Sequence, residues 1–286
     1  MTGGSSEPRR HHAHGHQAPA AVSIDLPNRT RLEYVEQGDP NGTPVILLHG
    51  YTDSWRSYEL LLPHLPRSLR VFAITQRGHG DSGRPAQGYQ PRDFAADVAA
   101  FMDAVGLARA VIVGHSMGSV VAQRFAIDYP ERTRALLLEG AFVPRPGGAS
   151  IREFWESVSA LRDPIDPGFV REFQRSTLTR DVPSGFFDTV VNESLKVPAR
   201  VWHAALEPLL EQDFFAELGA IEAPTLLVWG DRDAYTLRAD QDTLNSAIAG
   251  SRLVVYTDTG HCPHWEEPAR VAADLISFIG ALSPRP

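Results

Sequence analysis

Residues 112–120 read Ile-Val-Gly-His-Ser-Met-Gly-Ser-Val and place one serine, Ser116, between two glycines. The apolar run before it, Ala110–Val113, predicts a strand, and the run Met117–Tyr129 after it predicts a helix. Glycines on both sides of a polar residue are typical of a backbone turn too tight for a Cβ. The stretch therefore predicts a G-x-S-x-G elbow, in which a strand-to-helix turn projects the serine hydroxyl above a sheet.

Strand and helix patterns alternate on both sides of this elbow. The strands are predicted at Val22–Leu26, Arg31–Glu36, Val45–Leu48, Val71–Thr75, Ala110–Val113, Ala135–Glu139, Thr225–Trp229 and Leu253–Tyr256, and the helices between them at Trp55–Leu65, Pro91–Val105, Met117–Tyr129, Arg238–Ala249 and Pro268–Leu282. The later strands are continuous apolar runs, which are typical of strands buried on both faces. The sequence thus predicts an α/β fold with a mainly parallel eight-stranded sheet, helices on both faces and an antiparallel pair at its start.

The alternation stops between residues 142 and 222. Helical pieces broken by prolines and dense in aromatic residues replace it, at Ile151–Leu161, Gly168–Ser176, Gly185–Leu195 and Ala199–Leu210. Such an insertion predicts a helical cap over the carboxyl edge of the sheet, although helices that simply extend the core would show the same pattern. The predicted domains are a disordered His-rich tail of residues 1–20, a core of residues 21–141 and 223–286, and a cap of residues 142–222.

A serine hydroxyl is a weak nucleophile, so it needs a base that takes its proton and a third group that orients the base. The loops after two later strands supply candidates for both. Asp231 and Asp233 follow the strand that ends at Trp229, and His261 follows the strand that ends at Tyr256. The order serine, aspartate, histidine is the one expected for this arrangement.

These motifs together resemble the α/β-hydrolase superfamily over residues 20–282, with the insertion in the family's usual cap position. The resemblance implies that the acid is Asp233, the fourth residue of the G-x-x-D turn "GDRD". Asp231 is the less favoured alternative, and its other role would be to stabilise the turn. It also implies that His261 is the histidine that precedes the final helix. Glu139 is an alternative acid, because it ends the strand "ALLLEG", where some relatives keep theirs.

The resemblance also assigns donors for a developing oxyanion. In the superfamily these are the backbone amide after the nucleophile, here Met117, and one amide from the loop after the third strand. That loop reads "LLHGYTDSW", and its His49-Gly50 pair matches the family's H-G signature, so the second donor is the Tyr51 amide. The later loop Gln76–Gly83 resembles D-x-R-G-x-G-x-S with glutamine in place of aspartate, and we interpret it as architectural.

Further residues are candidates for substrate contact, and we expect no metal or cofactor. The predicted contacts are His49, His115, Phe142, Trp155, Trp202 and His264. Cys262 has no second base and orienting group beside it, so we interpret it as a buried small side chain. The sequence has no phosphate-binding P-loop and no metal-ligand cluster outside the tail histidines His11, His12, His14 and His16.

Composition limits the classes of partner. The formal net charge of −8 disfavours nucleic acid. No apolar run approaches the roughly 20 residues that cross a membrane, and the first residues lack the apolar region of a secretory signal. Together with a single cysteine, which permits no intrachain disulfide, this predicts a cytoplasmic protein with a small-molecule substrate. No pattern indicates an oligomeric state.

The sequence therefore predicts a metal-independent serine hydrolase that cleaves a small carboxylic ester or lactone through an acyl-enzyme. Serine at the elbow argues against the haloalkane dehalogenase and epoxide hydrolase branches, which use a carboxylate nucleophile. The alternatives are a carbon–carbon bond hydrolase of ring-cleavage products, since "GHCPHWEEP" is similar to their histidine segment, a hydrolase-fold small-molecule receptor, and an acyltransferase. Haloperoxidase-like perhydrolysis would be a side activity of the same site.

Overall fold

An eight-stranded sheet organises the structure, a computed structural model that describes residues 20–146 and 149–282. Its order is β1-β2-β4-β3-β5-β6-β7-β8. The strands are β1 (Val22–Asp25), β2 (Arg31–Gly38), β3 (Thr43–Leu48), β4 (Leu69–Thr75), β5 (Ala110–His115), β6 (Thr133–Glu139), β7 (Thr225–Gly230) and β8 (Arg252–Tyr256). β2 pairs antiparallel with β1 and β4, and every other pairing in the described sheet is parallel. The predicted α/β class and mainly parallel sheet are confirmed.

Helices cover both faces of the sheet. In the described residues they are α1 (Pro91–Ala104), α2 (Met117–Asp128), α3 (Ala149–Ser159), α4 (Pro167–Ser176), α5 (Ser184–Leu195), α6 (Ala199–Glu211), α7 (Arg238–Ala247), α8 (Pro263–Glu266) and α9 (Pro268–Gly280). Strand side chains alternate between the two faces. Ile46 of β3 therefore joins the core beneath Phe94 of α1. Its neighbour Val45 joins the opposite core, which contains Leu275 of α9.

The segment after β3 differs from its prediction. The sequence pattern predicts one helix over Trp55–Leu65, whereas the structure has two short 3₁₀ turns, Trp55–Tyr58 and Leu62–His64. Pro63 explains the interruption, because proline lacks an amide hydrogen and clashes with the preceding turn of an α-helix. The first turn is still well anchored, since Tyr58 Oη donates to the carbonyl of Leu48 at the end of β3 (2.8 Å).

Helices α3–α6 occupy the interval between β6 and β7 where the alternation was predicted to stop. α3 packs against α6, and α4 packs against α5. The connection from α4 to α5 reaches the loop after β8, where the Thr177 carbonyl accepts a hydrogen bond from the His261 amide (2.8 Å). This inserted layer is therefore attached directly to the carboxyl edge of the sheet.

Apart from Ala20, the predicted His-rich tail lies outside the described residues. Within the described residues, none of the helices combines the length and apolar character needed to traverse a bilayer.

Candidate active site

Ser116 lies in a sharp turn between β5 and α2. Its φ of 54° and ψ of −118° lie in a region that non-glycine residues rarely adopt. A Cβ on Gly114 would lie 2.3 Å from the Gly118 carbonyl oxygen, and a Cβ on Gly118 would lie 2.1 Å from the Leu48 carbonyl oxygen. The two glycines of the motif are thus required by backbone contacts, and the tight packing holds the serine in its strained conformation.

A continuous chain of hydrogen bonds leads from Ser116 to an acid. His261 Nε2 lies 2.9 Å from Ser116 Oγ, and His261 Nδ1 lies 2.8 Å from Asp233 Oδ2. β7 leads into the turn that carries Asp233, and His261 precedes the short helix α8. With the Nδ1 proton donated to Asp233, Nε2 is free to accept the serine proton, which is the arrangement of a nucleophile, a base and an orienting acid.

The Asp233 carboxylate is held in its ionised form. Oδ1 accepts the backbone amides of Tyr235 (2.7 Å) and Thr236 (3.0 Å), and Oδ2 accepts the Thr236 hydroxyl (2.5 Å). Burial opposes the charge, but His261 and the Thr236 hydrogen bonds outweigh burial and lower the pKa of Asp233 below its usual value. The acid is therefore both fixed in orientation and negatively charged at neutral pH.

The other two candidate acids have different partners. Asp231 accepts the Asp258 amide (2.7 Å), a contact within the turn. Glu139 Oε1 accepts the His264 amide and lies 2.6 Å from His264 Nδ1. Of the three acids, the structure brings Asp233 to His261.

Two backbone amides near Ser116 are candidates for binding an oxyanion. Tyr51 follows the H-G pair after β3, and Met117 is the first residue of α2. Among the described residues, neither amide has a hydrogen-bond acceptor in the structure. Unsatisfied amides at the start of a helix are suited to binding an anion.

The loop that carries the Tyr51 amide is braced by His49. The His49 ring accepts the Gln76 amide at Nε2 (2.9 Å), and the Gln76 side chain donates to the His49 carbonyl (2.8 Å). Burial lowers the pKa of His49 well below its usual value, so the ring is neutral and can act as this acceptor. Glutamine in the place of the family's aspartate thus has a structural role in the loop.

A cavity opens in front of Ser116 and His261. Most of its wall is apolar and comes from the inserted helices and the loops at the sheet edge: Phe142, Phe154, Phe173, Leu206, Leu209, Tyr235 and Trp265. Asp53, Gln174 and Thr177 add polar groups. An apolar cavity with a few directed polar groups is the usual form of a small-molecule site.

The predicted substrate contacts are only partly at this cavity. His115 and Phe142 line it. His49 and His264 are fully buried and absent from the lining, because both are engaged in bracing hydrogen bonds. Substrate contact by these two residues stays a prediction, and their observed contacts lie within the protein.

The two predicted tryptophan contacts also lie elsewhere. Trp202 is buried behind Tyr51, with their ring centroids 5.3 Å apart, and its indole donates to the Val197 carbonyl. Trp155 lines a different cavity, together with Glu207 of α6. Both sit on the amphipathic helices predicted for the insertion, but their side chains face neighbouring helices.

Asp53 and Gln174 are functional candidates that the sequence pattern did not single out. Asp53 follows the H-G pair by three residues and is buried, and Gln174 of α4 donates to its Oδ1 (3.0 Å). The position of Asp53 just after the H-G signature was the available signal. Cys262 is a buried free cysteine, as expected, and it lines the cavity. The part of the chain described here contains no cluster of three or more residues suited to hold a metal ion.

Comparisons with known proteins identify the fold family. Residues 43–268 match a family model described as the alpha/beta hydrolase fold. A non-heme haloperoxidase from Rhodococcus erythropolis is 29% identical over 269 residues, covering 87% of this chain and 96% of that protein. A 2-hydroxy-6-oxo-6-phenylhexa-2,4-dienoate hydrolase from Comamonas testosteroni is 29% identical over 266 residues, covering 87% and 91%. An esterase from Exiguobacterium antarcticum has the same fold, with a TM-score of 0.83 at 22% identity over 92% of this chain and 100% of that one.

Proposed function

The chain belongs to the alpha/beta hydrolase fold family, and we propose that it is a serine hydrolase that cleaves a small carboxylic ester or lactone. The observation that carries this proposal is the hydrogen-bonded chain from Asp233 through His261 to Ser116, which ends at a largely apolar cavity. Ser116 is 7% exposed, and it lines that cavity. We also propose that residues 142–222 act as a cap, because α4 and α6 supply part of the cavity wall.

The first half of the proposed reaction forms an acyl-enzyme. His261 Nε2 accepts the Ser116 proton while Oγ attacks the substrate carbonyl carbon, and the carbonyl oxygen becomes an oxyanion. The Met117 and Tyr51 amides stabilise that oxyanion, and loss of one such donor typically costs about 10²–10³ in rate. His261 then donates its proton to the leaving alkoxide as the ester carbon–oxygen bond breaks.

The second half returns the serine. Water takes the place of the alcohol, gives a proton to His261 Nε2 and attacks the acyl carbon, and Ser116 leaves with the proton that His261 returns. Asp233 keeps the His261 ring oriented and stabilises its positive charge in both halves. Its lowered pKa supports this role, because the carboxylate stays ionised throughout.

A carbon–carbon bond hydrolase is the second candidate. The observation in its favour is the 29% identity to the Comamonas testosteroni dienoate hydrolase over 87% of this chain. The same serine, histidine and oxyanion donors would serve that reaction, so the triad geometry does not separate the two candidates. Assays with an ester and with a ring-cleavage dienoate distinguish the two candidates.

The test compares wild type with Ser116→Ala on p-nitrophenyl esters from acetyl to octanoyl at neutral pH. We expect turnover by wild type, a rate close to background for the variant, and a chain-length optimum that reports the size of the cavity. A fluorophosphonate should add one covalent adduct to wild type, seen by intact mass, and none to the variant. Equal rates for the two proteins, or labelling of the variant, would contradict the proposal.

A parallel assay follows the loss of absorbance of a ring-cleavage dienoate. Turnover of the dienoate with inert esters would replace the ester proposal by the second candidate. Slow single-turnover acylation of Ser116 without release would indicate a receptor, and acyl transfer to an added alcohol that outcompetes water would indicate an acyltransferase.

A further inference from the structure

One wall of the cavity brings together two hydrogen-bond acceptors, the Asp53 carboxylate and His115 Nδ1. Both residues line the cavity. A Cβ built on Gly50 would lie 2.8 Å from His115 Nδ1 and 3.1 Å from Asp53 Oδ2. The two acceptors therefore lie close together, on the same side of the Gly50 backbone.

The His115 ring is an acceptor at this position. Its Nε2 lies 2.9 Å from the His261 carbonyl oxygen, which can only accept, so the ring proton is on Nε2. Burial lowers the pKa of His115 well below its usual value, so the ring is neutral and Nδ1 carries no proton. His115 Nδ1 is buried and has no hydrogen-bond partner among the described residues. A buried acceptor without a donor is costly, and a donor from a ligand would relieve that cost.

Asp53 also has unused capacity to accept. A carboxylate has about four acceptor positions. Gln174 Nε2 donates to Oδ1 (3.0 Å), and Ser57 Oγ lies 3.4 Å from Oδ2 with a single proton that it shares with His264 Nε2 (3.0 Å). Within the described residues, no lysine or arginine forms an ion pair with Asp53. Asp53 thus lines the cavity without an ion-pair partner among the described residues.

The other residues of the cavity wall also favour a cation over an anion. Five aromatic side chains besides Tyr51 line it, and aromatic faces attract ammonium groups. No lysine or arginine is among the described lining residues, so the cavity offers a carboxylate ligand no opposite charge. Burial raises the pKa of Asp53 to about 6, so the carboxyl is mostly ionised at neutral pH and above.

We propose that this cavity selects esters or lactones that carry an ammonium or other hydrogen-bond-donating group, and rejects carboxylates, through Asp53 and His115 Nδ1. The inference rests on the proposed function, since it takes the cavity in front of Ser116 as the substrate site. It narrows that function, because substrates with a free carboxylate, such as dienoate anions, would meet the Asp53 charge without compensation.

The test measures binding rather than turnover, so that it stands apart from the activity assay. Hexylammonium, hexanol and hexanoate share one chain length and differ in the charge and donors of the head group. Their binding to wild type at pH 8 can be followed by calorimetry and by tryptophan fluorescence, since Trp265 lines the cavity. We expect hexylammonium to bind about ten- to a hundred-fold more tightly than hexanoate, the range of a charge-assisted hydrogen bond, with hexanol between them.

Variants assign the preference to Asp53. Asp53→Asn should bring the three ligands to near parity, whereas Asp242→Asn, which removes an exposed charge on α7, should keep the wild-type order. Circular dichroism and thermal melting check the fold, and Asp53→Ser is a second neutral variant. Hexanoate binding to wild type as tightly as hexylammonium would overturn the proposal without any variant. A preference that persists in a folded Asp53 variant would overturn it too.

The serine variant separates this inference from the proposed function. Ser116→Ala should bind the three ligands in the wild-type order whether or not esters are turned over. A normal binding order with inert esters would contradict the hydrolase proposal alone, and ester turnover that depends on Ser116 with no ammonium preference would contradict the cavity proposal alone.

Discussion

Two chains of acid, histidine and serine lie side by side at the carboxyl edge of the sheet. One joins Asp233, His261 and Ser116 through contacts of 2.8 and 2.9 Å. The other joins Glu139, His264 and Ser57 through contacts of 2.6 and 3.0 Å. Their histidines are three residues apart, and their acids lie at or just beyond the ends of the neighbouring strands β6 and β7.

The two serines differ in what surrounds them. Ser116 lines the cavity and stands on a strained elbow beside two free amides. Ser57 is fully buried in a 3₁₀ turn, and its Oγ also accepts the Trp265 indole (3.0 Å). Residue types and hydrogen bonds are shared, so access and backbone geometry decide which serine can react. The hydrogen-bonded series Glu139–His264–Ser57 instead holds in place the polypeptide segment that carries His261.

Substituting each serine in turn gives the largest expected difference between the two hydrogen-bonded series. Ser116→Ala should lower kcat for p-nitrophenyl butyrate by about 10⁶-fold, the scale seen when a triad nucleophile is removed. Ser57→Ala should change kcat/KM by less than about ten-fold, because Ser57 acts only through packing and hydrogen bonds. Initial rates and thermal melts of both variants measure this. Comparable losses of activity in two folded variants would refute the distinction.

Substitutions of the two acids have the next largest expected effect. Asp233→Asn should lower kcat by about 10⁴-fold, since asparagine favours the wrong histidine tautomer. Glu139→Gln should cost mainly stability, about 1–3 kcal/mol for a buried hydrogen-bonded acid, because the amide cannot accept from His264 Nδ1 in the same way. Kinetics and urea unfolding of each variant separate the two effects. A larger kinetic loss in Glu139→Gln would exchange their roles.

Two glycines test the importance of the elbow backbone. Gly118→Ala puts a Cβ 2.1 Å from the Leu48 carbonyl and 2.7 Å from that of His49, so the loop before Tyr51 must shift. A shift of about 1 Å can cost about 10²-fold in rate. Gly185→Ala in α5 is the matched control, since nothing lies within 4 Å of its Cβ. Steady-state kinetics should show wild-type values for the control, and a Gly118 variant with full activity would remove the elbow argument.

The last effect concerns stability rather than rate, and it depends on pH. The pKa of Asp53 rises from 3.8 to about 6 on folding, so the native state holds this proton more tightly than the unfolded chain. Its contribution to stability is present below about pH 4 and is lost as the pH rises through about 6, by about 3 kcal/mol in all. Asp233 has the opposite sign, because its lowered pKa contributes stability that is lost as the pH falls.

Urea unfolding at pH 4 and pH 7 checks the Asp53 contribution. The stability of Asp53→Asn relative to wild type should increase by about 2 kcal/mol between the two pH values, most of the total, because the unfolded-state carboxyl is already partly ionised at pH 4. A relative stability that does not change with pH would show that Asp53 does not titrate as its burial implies.

Local sequence patterns were sufficient for the fold and for the order of the proposed triad. Apolar runs separated by helical patterns predicted the strands, and the later strands were the clearest, because burial on both faces leaves a continuous apolar run in the sequence. The glycines around Ser116 predicted the elbow, because a tight turn excludes a Cβ within a few residues. The G-x-x-D turn pointed to Asp233, which the structure brings to His261. These features depend on residues close in sequence. The contact between Asp233 and His261 does not, because the two residues lie on different loops.

Only the tertiary structure decided which side chains face the cavity. The sequence could not pair Glu139 with His264, 125 residues away, or Asp53 with Gln174, 121 residues away. It placed Trp202 and His264 at the substrate, although both are buried behind the site. An aromatic or histidine on an inserted helix has the same local pattern whether it packs or binds. How the helices pack against the sheet edge decides between these roles, and that packing is the sum of many weak contacts between distant segments.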